Sequence, residues 1–78
     1  MTKKNFLVTN FYVMDDGAIV HGAPCIMHSE ASKDIFVEAL KTIYEAMDVE
    51  YHIYVEELVD GRITKRIQHI SSNKKAKS

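Results

Sequence analysis

The side chains that chemistry would have to use are four histidines, His21, His28, His52 and His69, one cysteine, Cys25, and two segregated sets of charges. His52 and His69 fall on neighbouring predicted strands and stand opposite each other in one of two hairpin registers. Such a pair suits a metal or an acid–base couple. No third ligand stands at a fixed spacing, so no metal site is expected. Cys25 lies in the apolar run APCIM and reads as a packed thiol, not a nucleophile. Glu56 and Glu57 are adjacent on a strand and point to opposite faces, which argues against paired acid–base work. No phosphate loop, dinucleotide fingerprint, HExxH or CxxC occurs. The three glycines are used by turns and by the second strand, which leaves none to cradle a nucleotide. The expectation is a protein that is not an enzyme and takes no cofactor.

The net charge of −1 conceals a division. Residues 30–60 carry nine acids against Lys33 and Lys41, a balance of −7. Residues 62–78 carry Arg62, Lys65, Arg66, Lys74, Lys75 and Lys77 with no acid, a balance of +6. Segregation of this kind speaks of partners or self-association, not of fold.

The element that must position these groups runs from Ser29 to Asp48. At about 100° per residue, Ala31, Ile35, Phe36, Ala39, Leu40, Ile43, Ala46 and Met47 fall within one half-circle. Val37 and Tyr44 widen that arc. The opposite strip holds Glu30, Asp34, Glu38, Lys41, Glu45 and Asp48. A lone helix cannot hide its stripe, so it must lie on a sheet. Ser29, or else Ser32, caps its start, whereas Asp48 with no following glycine makes a poor end.

On either side stand two hairpins, each turning at an Asp-Gly. Phe6–Met14 is rich in aromatic and β-branched residues, and Ala18–His28 returns after Asp15-Asp16-Gly17. Pro24 cannot donate to a ladder, so this return is an edge strand or bulges there. Neither face of the first hairpin is cleanly polar, as in a strand pair covered on both sides. Val49–Leu58 alternates, with Val49, Tyr51, Ile53 and Val55 on one face and Glu50, His52, Tyr54 and Glu56 on the other. Arg62–Ile70 comes back after Val59-Asp60-Gly61. A three-residue loop would bring Ile63 and Ile67 to the face of Ile53, and a two-residue loop would turn them away. The first gathers the apolar side chains and is preferred.

The fold class is therefore α+β, a two-layer ββαββ sandwich with one helix on one face of a four-stranded, largely antiparallel sheet. Counted along the chain, the strand order is 2-1-3-4, with 1-2-3-4 as its competitor. One domain spans residues 1–70, and 71–78 form a disordered basic tail. The expected core is Phe6, Val8, Phe11, Ile35, Ala39, Leu40, Ile43, Tyr51, Ile53 and Val55. A single cysteine, no signal-peptide pattern and no apolar run of membrane length point to a cytoplasmic protein.

What these absences leave is a protein-interaction module, an inhibitor or regulator that docks on a basic partner protein. Phage-type inhibitors that occupy the nucleic-acid-binding sites of host defence enzymes are the analogy. The expected docking residues are Glu30, Asp34, Glu38, Glu45 and Asp48, with Glu50 and Glu56 nearby and Val37 and Tyr44 as apolar anchors. A homodimer through the open sheet face or an edge strand is also expected. The alternative is a small nucleic-acid-binding protein that uses Tyr54, Arg62, Lys65, Arg66 and the tail.

Overall fold

In the computed structural model, which describes residues 4–72, strand β1 (Lys4–Val13) is the spine of the sheet. Its positions Phe6, Val8 and Asn10 are buried while their neighbours are only half-buried, the mark of a strand with one covered face. Along its whole length β1 pairs antiparallel with β4 (Glu50–Val59), from Lys4 opposite Val59 to Val13 opposite Glu50. Its other side is shared by two short strands, β2 (Ile19–His21) and β3 (Cys25–Met27). The last strand, β5 (Arg62–Ser71), closes the far edge against β4. Helix α1 (Glu30–Met47) packs on β1, β3 and β4.

The ββαββ class is thus the observed one, with the Pro24 segment at an edge. The strand count differs, five in place of four, because the return of the first hairpin breaks at Gly22–Pro24. Phe11 pairs with His21, but Val8 pairs with Cys25, so the break inserts one residue into the ladder. Bulge and edge both hold at this place. Gly22 is required there. A Cβ on it would collide with the side chain of Asn10, whose Cγ would lie 2.9 Å away. The bare backbone instead donates to the Asn10 carbonyl at 3.0 Å.

Helix α1 begins as expected. The Ser29 hydroxyl oxygen accepts from the Ser32 amide at 3.1 Å. Its end is better finished than composition implies, since Asp48 takes the left-handed conformation (φ 59°) that a glycine usually supplies. There its amide donates to the carbonyls of Tyr44 and Glu45.

The helix is, however, turned from its expected setting. It buries Lys33, Val37 and Tyr44, with Phe36 and Leu40 half-buried beside them. Ile35 and Ile43, expected in the core, are 72% and 54% exposed, and Ala39 is exposed as well. The physical reason is size: alanines extend a stripe on a helical wheel but contribute little area. The side with Phe36, Val37, Leu40 and Tyr44 removes more carbon from water. Phe11 is half-buried on the sheet face away from the helix and is no part of this core. The cluster that forms joins Phe6, Val8, Val37, Tyr44, Tyr51, Ile53 and Val55.

The second hairpin turns through two residues, Asp60 and Gly61, both at positive φ (52° and 82°), the form that matches strand twist. The preferred three-residue loop is not the one found. Ile63 therefore stands opposite Leu58, on the face away from Ile53. Two register shifts in β5 then cancel in parity, so Ile70, seven residues after Ile63, lies on the helix side opposite Ile53 and joins the core. The strand also runs past its expected end. Ser72 donates from its amide to the Tyr51 carbonyl at 3.0 Å and accepts from the Tyr51 amide at its hydroxyl, 3.2 Å away. The rest of the expected tail, with Lys74, Lys75 and Lys77, lies outside the described residues.

Ile53→Ala should cost about 2–5 kcal/mol in urea unfolding, since Ile53 is wholly enclosed. Ile35→Ala should change stability by no more than about 0.5 kcal/mol. Equal losses at the two positions would mean that the helix is turned to its other side.

Candidate docking surfaces

A helix that buries Val37 and Tyr44 has two other sides to offer. Ala31, Ile35, Ala39, Ile43 and Met47 succeed one another at four-residue spacing and form a ridge along the solvent side. Met47 is 43% exposed, so the ridge is open from end to end. Next to it runs the flank of Asp34, Glu38 and Glu45, with Glu30 and Asp48 at its ends, all exposed. The acidic strip thus survives as a surface feature, but it lies beside the sheet and not opposite it. Lys33 is buried, and its ammonium reaches Asp34 at 2.6 Å and lies 5.6 Å from the Phe6 ring centre.

Several expected members of the site stand elsewhere. Val37 and Tyr44 are buried and present no anchor to a partner. Glu50 and Glu56 alternate to the far face of the sheet, where Glu50 meets His52 at 3.2 Å and Glu56 meets Arg66 at 3.7 Å. Glu45 already accepts from the Tyr51 hydroxyl at 3.0 Å. The exposed apolar side chains of the helix are Ile35, Ile43 and Met47. Their four-residue spacing was legible, but it was read as part of the buried stripe.

The other surface is the sheet face turned from the helix. Phe11 stacks on His52 with ring centres 4.9 Å apart, and His52 on His69 at 5.4 Å. His69 in turn stacks on Tyr54 at 4.4 Å, and the Arg66 guanidinium covers Tyr54 at 4.4 Å. Of the residues named for nucleic acid, Tyr54 and Arg66 do meet. Arg62 and Lys65 pair with Val59 and Glu57, on the helix side of the sheet, and do not join them. His52 Nδ1 lies 3.2 Å from His69 Nε2, so one donates to the other. The two pair diagonally, since Tyr54 is directly opposite His69. Among the described residues, no group of three or more His, Cys, Asp or Glu could hold a metal ion. Cys25 is half-buried, and no helix among the described residues is long and apolar enough to cross a membrane. No family model, curated protein or solved structure matches this chain.

Electrostatics mark the seam between helix and sheet. Burial raises the phenol of Tyr51, and the hydrogen bond to Glu45 and the charges of Glu45 and Glu38 raise it further. Burial also raises Tyr44. On the acid side, the hydrogen bond from Lys4, followed by that from Thr64, lowers Glu57. A raised phenol keeps its proton longer when folded. Its stabilisation is therefore complete below the unfolded value near 10.0 and declines as pH rises through the folded one. Denaturant midpoints should fall above about pH 10, and less steeply in Tyr51→Phe. Parallel curves for the two proteins would remove Tyr51 as the cause.

Proposed function

We propose that the chain is a small non-enzymatic interaction module, an inhibitor or regulator that docks on a basic partner protein through the outward side of α1. The observation that supports it most is the conjunction on one helix of an open apolar ridge and an acidic flank, both clear of the core. Charge alone steers association but holds little; Ile35, Ile43 and Met47 supply the desolvated contacts that holding requires. Asp34 and Glu38 lie four residues apart, about 6 Å along the axis, and set a negative field beside that ridge. A partner with a basic surface and an apolar cleft within it is complementary to both. Phage-type inhibitors that occupy nucleic-acid-binding sites of host defence enzymes are the analogy for such a partner. The single cysteine, Cys25, suits action in the cytoplasm.

A second reading rests on Arg66 over Tyr54, an aromatic face with a cation beside it of the kind that single strands bind. Against it, Arg66 already faces Glu56, and Arg62 and Lys65 lie on the other side of the sheet.

A photo-crosslinking residue in place of Ala39, compared with one in place of Thr64 on β5, identifies the partner and the side it touches. The Ala39 probe should capture a basic protein. Binding of that protein should weaken about tenfold or more in Asp34→Lys/Glu38→Lys and in Ile35→Ser/Ile43→Ser, with an on-rate that falls as salt rises. Arg62→Glu/Lys65→Glu/Arg66→Glu should bind within about twofold of the parent. Capture through Thr64, with loss in the base-reversed protein alone, would sink the helix reading.

A further inference from the structure

Turned from the helix, the sheet presents a face that no described residue covers. It is apolar over much of its extent. Ile19, Ile26 and Ile63 are 56%, 52% and 56% exposed on it, with Phe11 and Tyr54 half-buried between them. Soluble monomers rarely leave an apolar patch of such size open. We propose that this face is the interface of a homodimer in which two sheets pack face to face and the two helices lie outermost.

Three features favour a second copy over other occupants. The first is area. Strands of ten residues extend about 33 Å, and three of them with the short β2 and β3 end to end beside β1 span about 19 Å, on the order of 600 Å² in plan. Two such faces brought together remove about 1,200 Å² from water, the threshold of a stable interface. The second is charge. A surface that meets its own copy must carry little net field, and here Glu56 is paired with Arg66 and Glu50 is held by a hydrogen bond with His52 within the chain. A nucleic acid would need the opposite, a face left positive. The third is the way the rings are used. Phe11, His52, His69 and Tyr54 stack on one another across the strands, so their flat faces are already taken. What they offer outward is edges, which interdigitate between two packed sheets about 10 Å apart but give a nucleobase no platform.

Packing of this kind gives four layers, helix–sheet–sheet–helix, and turns the one-sided core of a small chain into a two-sided one. It also places two copies of the α1 ridge on opposite outer surfaces. A dimer so built is bivalent toward whatever the helix docks on.

Light scattering at high micromolar concentration should give twice the 8.9 kDa of one chain. Ile26→Lys/Ile63→Lys, at sites exposed enough to leave folding intact by circular dichroism, should reduce the mass to one chain. Ile35→Lys/Ile43→Lys on the helix should leave it doubled. A parent protein that is monomeric would overturn the proposal. So would a dimer broken by the helix pair alone, or one that survives both pairs and is therefore held by an edge strand. A fluorescent single-stranded DNA oligomer is the remaining arm. If the parent is a monomer that binds it and Tyr54→Ala does not, the face belongs to nucleic acid. Loss of helix-mediated partner binding has no bearing on these masses, so the two readings fail separately.

Discussion

The hydroxyl of Tyr44 donates to the side-chain oxygen of Asn10, and on that buried bond the setting of the whole molecule turns. Each residue alone would be a burden in the core: a phenol and an amide cut off from water cost more than they return. Together they are satisfied, and no buried side-chain nitrogen or oxygen among the described residues lacks a partner. The bond fixes the rotation of α1, because Tyr44 reaches Asn10 only when Val37 and Lys33 also face down. It dictates the backbone above as well. Asn10 fills the space a side chain at position 22 would need, so Gly22 is bare and the edge strand breaks there. Three tyrosine rings, of Tyr12, Tyr44 and Tyr51, then pack about that centre.

From this setting the surface follows. With Tyr44 down, Ile35 and Ile43 must point to solvent, since at about 100° per residue Ile35, nine positions away, is turned about 180° from Tyr44 and its neighbour Ile43 about 100°. The acidic flank is carried to the side of the sheet, where Glu45 reaches Tyr51. Had the alanine-rich side gone down instead, the same acids would stand beside buried isoleucines and the helix would show a tyrosine to solvent. Two different exposed surfaces are here the same helix sequence at two rotations. The polar pair in the core selects between them.

The sheet shows the same dependence on small backbone events. One residue inserted at Gly22–Pro24 lets both Ile19 and Ile26 lie on the open face although their numbers differ in parity. The two-residue turn places Ile63 on that face, and the two register shifts that follow in β5 cancel in parity and leave Ile70 on the other. The apolar character of the open face thus depends on the break in the edge strand and on the Asp60-Gly61 turn as much as on composition. On a face built in this way the one arginine among the described residues, Arg66, is matched by Glu56.

The amino-acid sequence determined the parts. Helix period, Ser29 cap, two Asp-Gly turns and the alternation of β4 are local properties, set by backbone sterics and by the wetting of one face, and each was found where it was read. Pro24 at an edge was equally legible, because a missing amide proton is a local fact. What only tertiary structure decided was how those parts face one another. Helical periodicity gives a direction for the apolar side but weights Ala39 almost as it weights Leu40. Only the volume available above Val8, Asn10 and Ile53 shows which side fits. The two-residue turn at Asp60-Gly61 was open to sequence, but its consequence was not: bulges at β5 undo part of the flip it imposes. Partnership of Tyr54 with Arg66 and of His52 with His69 likewise depends on register, where a shift of one residue sends a side chain through the sheet.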